Sequence, residues 1–246
     1  IKTDRKAVYM LFNSSVYIFL FLPITVILYF FLNGRGWSRA ASIWLVVASM
    51  YFYGYWNPRY VPLILISLAA NFMFGVLLQN RQAKPLLILA IVLNLSVLAY
   101  YKYIGFIIEN LNSLSGMDVA LKFNEFFNSH LDLQHIELPL AISFFTFLQI
   151  AYLVDCYQSK VKESGFLHYT LFVTYFPHLI AGPLVHHQDL MPEFSRPDNK
   201  AVNWKNIYLG IYIFSIGLFK KVFIADTFAE WANQGFDSAN ALSFFD

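Results

Sequence analysis

The hydrophobic positions along this chain fall into blocks, not into the narrow stripes of surface helices. Residues 16–32, 41–56, 61–78 and 85–101 are four apolar runs free of charged residues, joined by short polar loops. About 30 Å of hydrocarbon requires roughly 20 helical residues at 1.5 Å each. The four runs therefore predict four transmembrane helices in a compact hairpin array. The second run ends in the aromatic cluster Tyr51-Phe52-Tyr53-Gly54-Tyr55-Trp56, and Asn57-Pro58-Arg59 after it predicts a tight turn. No acidic residue occurs between Asp4 and Glu109.

The pattern then becomes less regular. Residues 102–137 carry Lys102, Glu109, Asp118, Lys122, Glu125, Asp132 and Glu137 among Asn, Ser and Gly residues. A short interfacial helix is expected at 120–127, apolar on one side. A fifth apolar block, 138–154, contains Pro139, Ser143, Thr146 and Gln149, which predicts packing inside protein instead of against lipid. The sixth block, 169–184, is interrupted by Pro177, Gly182 and Pro183. It predicts a broken or re-entrant helix, tolerated only where protein or water satisfies the freed backbone groups. Residues 185–206 are polar, and a seventh block, 207–219, runs into Lys220-Lys221. The fold class expected is an all-α polytopic membrane protein with about six or seven membrane segments. There is no internal repeat and no low-complexity linker, so a single domain is expected.

Composition strengthens this picture. Of the 246 residues, 58% are hydrophobic and only 13% charged, and the mean hydropathy is +0.53. A soluble domain carries about 25% charged residues. The 26 Phe and 16 Tyr suit a chain with two membrane interfaces to line. A net charge of +2 gives no electrostatic case for nucleic acid. The single cysteine, Cys156, excludes an intrachain disulfide framework and a cysteine-based zinc site.

The two ends also bear on organisation. Residues 1–9 are expected to be an upstream extension, with Met10 a candidate start and the domain running over 10–246. No small-x-small cleavage site follows the first block, so an uncleaved span is expected there and not a signal peptide. The chain stops at Ser243-Phe244-Phe245-Asp246 without a cap or polar tail, which suggests the N-terminal part of a longer domain. With alternating helices, Arg35, Arg39, Arg81, Lys84, Lys160, Lys162, Lys220 and Lys221 share one side. Counted from Met10, that side is the cytoplasmic one; counted with residues 1–9, the bias nearly vanishes.

Candidate chemistry is sparse. His130, His135 and His168 read as exposed loop histidines, and His186 and His187 are adjacent, which rules out helical i, i+4 chelation. No H-E-x-x-H or carboxylate at ligand spacing accompanies them, so no metal site is expected. Nor is there a G-x-S-x-G, Walker or dinucleotide motif. His178 differs, because it sits inside an apolar block where an ionisable group is costly and faces a partner or a cavity. Pro177, Gly182 and Pro183 would open the backbone beside it. Two readings stand: a structural histidine bonded to a freed carbonyl, or a lining residue of a substrate path. Asp155, closing the fifth block, reads as an interface marker, and Gln149 and Asn94 as interhelical hydrogen-bonding residues.

Several segments together resemble the membrane-bound O-acyltransferase family, in its bacterial alginate O-acetyltransferase branch. They are Met10-Leu11-Phe12-Asn13-Ser14-Ser15-Val16 with Phe19-Leu20-Phe21-Leu22-Pro23, Ala48-Ser49-Met50-Tyr51-Phe52-Tyr53 with Trp56, and Tyr101-Lys102-Tyr103 with Phe106. Leu138-Pro139-Leu140-Ala141-Ile142-Ser143-Phe144 with Tyr152 and Asp155 follows in the family's order. The most specific are Phe176-Pro177-His178-Leu179-Ile180-Ala181-Gly182-Pro183 and Gly217-Leu218-Phe219-Lys220-Lys221-Val222-Phe223-Ile224-Ala225-Asp226. The resemblance implies transfer of an acetyl group from a cytoplasmic thioester such as acetyl-CoA, through a funnel across the bilayer. The acceptor would be an extracytoplasmic polysaccharide such as alginate, with extracytoplasmic acetyltransferase partner proteins. It further implies a multi-pass protein among the lipids of the bacterial inner membrane, with no tightly bound cofactor.

The family's presumed general base is a histidine in a Trp-His pair downstream of the Lys-Lys-Val-Phe-Ile-Ala-Asp segment. None of Trp37, Trp44, Trp56, Trp204 and Trp231 is followed by His. No catalytic residue is therefore assigned, the histidine is expected beyond Asp246, and this chain alone is expected to be inactive. His178, Pro177, Gly182, Pro183, Asp155 and Gln149 are carried forward as candidate substrate-path residues. The rival readings are a transporter or flippase, which broken helices and buried polar residues also suit, and a structural subunit of a polysaccharide export complex.

Overall fold

The computed structural model describes residues 10–115, 137–161, 165–180, 182 and 185–237. The expected helix at 120–127, His130, His135, Lys162, Pro183 and residues 1–9 lie outside them. Every described apolar block is helical, and there is no strand among the described residues. A π-helical turn, Tyr17–Phe21, leads into α1 (Leu22–Gly34). Then come α2 (Ser38–Trp56), α3 (Val61–Arg81) and α4 (Lys84–Ser115). Helix α5 (Ile142–Tyr157) precedes the broken pair α6 (Phe166–Thr174) and α7 (Phe176–Leu179). After α8 (His187–Ser195) comes α9 (Trp204–Phe219), which passes through a second π-helical segment, Lys220–Ala225, into α10 (Asp226–Asp237).

Among the described residues, four helices are long and apolar enough to cross a membrane: Tyr17–Gly34, Pro58–Arg81, Lys84–Leu114 and Trp204–Phe236. Helix α2 is not among them. It has the length, but Arg39, Ser42, Ser49 and its cluster of Tyr residues dilute its hydropathy. Two boundaries differ from those the sequence predicts. Helix α4 continues past Tyr101 through Lys102 and Glu109 to Ser115, so the expected irregular region starts later. The seventh block continues past Lys220-Lys221 as one helical run, because neither Pro nor a helix-ending Gly follows the lysines. Isolated charges lower hydropathy without breaking backbone hydrogen bonds.

The chain divides into two compact units, Ile1–Gly36 with Pro197–Asp246, and Trp37–Arg196. In the first, none of the described residues of α9 is buried. An apolar helix with no buried side is suited to lipid or to further protein. The second unit holds the core. Helices α3 and α4 pack on α5, and α2 packs on α6. Ile64, Leu68, Phe145, Leu148, Tyr152 and Phe172 are among its fully buried side chains.

The turns follow from local chemistry. The side chain of Asn57 accepts a hydrogen bond from the Arg59 amide, setting the single 3-10 turn Pro58–Tyr60 ahead of α3. Helix α3 ends on Gln82 in the left-handed conformation, φ 43°, its amide bonded to the Leu78 carbonyl.

Close packing of α3 on α5 depends on Gly75. A Cβ there would lie 2.6 Å from Cε1 of Tyr152. Tyr152 cannot swing aside, because it is fully buried and its ring lies 4.3 Å from that of Tyr169. Gly75→Ala is expected to destabilise the protein by about 1–3 kcal/mol through overpacking. A lowered thermal midpoint of the detergent-solubilised protein checks this, and an unchanged midpoint would count against the contact.

Candidate functional site

Helix α5 is the common wall of the second unit, and the candidate residues are strung along it. At its N-terminal end the Phe144 ring lies 6.1 Å from that of His178. Gln149 lies at its middle, and Asp155 lies in its last turn. From Phe144 to Asp155 is about 16 Å at helical rise. The structure thus groups Pro177, His178 and Gly182 together and keeps Gln149 and Asp155 separate from them.

The first group is a rebuilt helix break. An uninterrupted helix through Pro177 is impossible, since Pro lacks the amide proton and its ring collides with the carbonyl four residues earlier. The chain turns at Tyr175, with φ −53° and ψ 110°, and restarts with Pro177 in the first turn of α7. The break strands the amide of Phe176 and the carbonyl of Phe172, which an unbroken helix would pair with each other. Each finds another partner. The Phe176 amide donates to Oγ of Ser49 on α2 at 3.1 Å, and Ser49 donates to the Leu45 carbonyl at 2.7 Å. The Phe172 carbonyl is met by Nε2 of His178 at 2.9 Å. A carbonyl only accepts, so Nε2 carries the proton.

His178 is 6% exposed, beside the rings of Phe144 and Tyr175. Gly182 lies against it, its amide donating to the His178 carbonyl at 3.0 Å. The freed carbonyl that His178 meets is thus Phe172 O, released because the Phe176 amide turns to Ser49. Ser49 is the partner that sequence reasoning missed. Its only signal is a hydroxyl residue within the apolar and aromatic run 43–56 of α2.

The second group is a network of side-chain amides. Asn71 Nδ2 donates to Asn94 Oδ1 at 3.1 Å and to Gln149 Oε1 at 2.9 Å, and Asn94 Nδ2 donates to Asn71 Oδ1 at 2.6 Å. The Ser67 hydroxyl donates to Gln149 Oε1 at 2.7 Å. These bonds tie α3, α4 and α5 together, the interhelical role expected for Asn94 and Gln149. Ser67 and Asn71 were not singled out in the sequence, although both interrupt the third apolar block.

The third group lies at the end of α5. The Asp155 carboxylate is nearly buried, and its Oδ2 lies 3.6 Å from Nδ1 of the exposed His186. His187 next to it is buried, its ring 5.6 Å from that of Tyr152 and 5.2 Å from that of Phe172. Asp155, expected as an interface marker, is buried against its neighbours at the end of α5. His168, read as a loop histidine, lies within α6. Among the described residues no group of His, Cys, Asp and Glu is arranged to hold a metal ion.

The fold and these groups define a polytopic helical membrane protein whose spans are joined by buried amides around a broken, histidine-capped helix. Residues 97–245, more than half of the chain, match the model of MBOAT, the membrane-bound O-acyltransferase family, and the chain belongs to that family. It is 41% identical over 265 residues to a peptidoglycan O-acetyltransferase of Helicobacter pylori, covering 96% of this chain and 48% of that protein. It is 34% identical over 237 residues to a probable alginate O-acetylase, AlgI, of Pseudomonas aeruginosa, covering 94% and 43%. A probable alginate O-acetylase of Azotobacter vinelandii is 31% identical over 233 residues, covering 92% and 44%. The chain thus spans less than half the length of these relatives. No solved structure matches it.

Proposed function

We propose that this chain is part of a membrane O-acetyltransferase that passes acetyl groups from a cytoplasmic thioester, acetyl-CoA or a related acyl thioester, across the inner membrane. The acceptor is an extracytoplasmic glycan, reached directly or through an extracytoplasmic acetyltransferase partner. Membership of the O-acyltransferase family supports the reaction class. One observation favours peptidoglycan as the glycan: the 41% identity to a peptidoglycan O-acetyltransferase, against 34% and 31% to the alginate O-acetylases. Alginate, implied by the resemblance of the motifs, is the second reading.

The test is made in a bacterial host lacking its own peptidoglycan O-acetylation and expressing the full-length protein with its neighbouring secreted partners. Purified cell-wall glycan is treated with mild base and the released acetate measured after feeding labelled acetate. Ester-bound label in peptidoglycan is the expected result. Label in co-expressed alginate alone would move the assignment to the second reading. Label in neither glycan would overturn the proposal.

A further inference from the structure

The amide network leaves one donor group unused, and its position is informative. Backbone carbonyls settle which atom of each amide is which. Asn94 Nδ2 donates to the Ala90 carbonyl at 2.8 Å, and Asn71 Nδ2 to the Ser67 carbonyl at 2.9 Å. Carbonyls accept and never donate, so both Nδ2 assignments are fixed. Asn71 Nδ2 shares its two protons among the Ser67 carbonyl, Asn94 Oδ1 and Gln149 Oε1, and a second amide nitrogen 2.9 Å away would set donor against donor, so the atom facing it is Oε1. The Ser67 hydroxyl holds that same oxygen from α3. With Oε1 pinned by two donors, Nε2 of Gln149 is turned away from the network. It is buried, has no hydrogen-bond partner, and belongs to a side chain with no exposed surface.

A buried amide with two unused N–H groups is costly, and such a group points to a ligand or a water. Its depth narrows the choice. Asn71 is the central residue of α3, and Gln149 lies at the middle of α5. Asn94 is ten positions beyond Lys84, the start of α4, which is about 15 Å at helical rise and close to half the hydrocarbon thickness. Two membrane-spanning helices, α3 and α4, thus carry their amides at about mid-depth of a bilayer, and α5 meets them there with Gln149. The members of the network, Ser67, Asn71, Asn94 and Gln149, are all neutral. Buried apolar side chains, including Phe145, Leu148 and Leu68, share this core. An anion would find no countercharge in the network, whereas a neutral oxygen acceptor with apolar flanks would fit.

We infer that Gln149 Nε2 is a midplane hydrogen-bond donor for a neutral carbonyl oxygen, the acyl carbonyl of the group in transit. This rests on the acyl-transfer reading above. No bond is made or broken at Gln149. It holds the carbonyl halfway across, and Ser67 and Asn71 are the positioning residues that aim it.

The test uses the full-length protein in lipid nanodiscs with acetyl-CoA labelled with 13C at the acetyl carbonyl. Isotope-edited infrared difference spectra are expected to show a bound carbonyl band shifted to lower frequency, and Gln149→Met is expected to abolish the shift. Labelled transfer is expected to fall roughly tenfold or more in kcat/KM for the Met variant. Ser96→Ala, on the exposed side of α4 and outside the network, is expected to stay within about twofold of wild type. Equal carbonyl bands in wild type and Gln149→Met, as expected if only water occupies the site, would overturn the inference. So would equal losses in Gln149→Met and Ser96→Ala.

A measurement on unaltered protein guards against a variant that fails to fold. Solid-state NMR contact between the acetyl 13C carbonyl and glutamine side-chain 15N is expected, and its absence refutes the site. Wild-type transfer to any acceptor is read in the same samples, so failure of the acyl-transfer reading is seen separately from failure of the Gln149 assignment.

Discussion

Replacing Gly182 by alanine is expected to cost about 3 kcal/mol or more, the upper range for forcing atoms into packed structure. A Cβ at position 182 would lie 2.3 Å from Cβ and 2.4 Å from Cα of His178, and 2.9 Å from its carbonyl oxygen. Two of those three atoms belong to the backbone, so no rotamer change relieves the clash. The requirement is one of space. The backbone would have to retreat, and the hydrogen bond from the Gly182 amide to the His178 carbonyl would go with it. The thermal midpoint of purified full-length protein should fall by on the order of 10 °C. A midpoint within a degree or two of wild type would show that the segment does not pack as described.

His178→Ala should be comparably damaging for a different reason. It leaves the Phe172 carbonyl buried without its donor, a loss of about 1–3 kcal/mol. It also removes a ring packed beside Phe144 and Tyr175, so a total of about 3 kcal/mol is expected. His178→Gln offers an amide N–H at nearly the same reach and should recover about half of that loss. Thermal midpoints of the three proteins, measured side by side, check the ranking. If Gln proves as harmful as Ala while wild type is stable, the hydrogen bond to Phe172 is not what the side chain contributes.

Much of this was legible in the residues. The apolar blocks at 61–78 and 85–101 became α3 and α4 because an uninterrupted run of that length has few other structures open to it. Pro177 foretold the break at Tyr175, because proline's missing proton is a local fact that no tertiary context repairs. What the sequence hid were long-range pairings. Ser49 lies 127 positions from the amide it receives, and Ser67 lies 82 from Gln149. Neither separation leaves a periodic trace. The ends of α4 and of the seventh block lie beyond those that the charged residues predict, because charge alone does not end a helix. A helix can carry Lys102, Glu109, Lys220 and Lys221 beyond its apolar stretch without ending. Of the candidate substrate-path residues, His178, Gln149 and Asp155 are buried, and they fall into three separate groups along α5, since sequence order gives depth but not azimuth.

The π-helical segment Lys220–Ala225 has a consequence for how charge is carried along the last helix. Lys221 and Asp226 form an ion pair five positions apart. In an α-helix, residues five apart differ by about 140° in direction and cannot meet, since neighbours there are three or four apart. The wider turn brings them onto one side. The lysine and the aspartate therefore travel as a neutral couple, and the helix presents the surrounding medium with a dipole in place of two ions. Removing a single residue from the segment would restore ordinary winding and set the two charges apart. The extra residue thus acts as a charge-cancelling device, holding a polar pair in a helix whose other neighbours at that level, Val222, Phe223 and Ile224, are apolar.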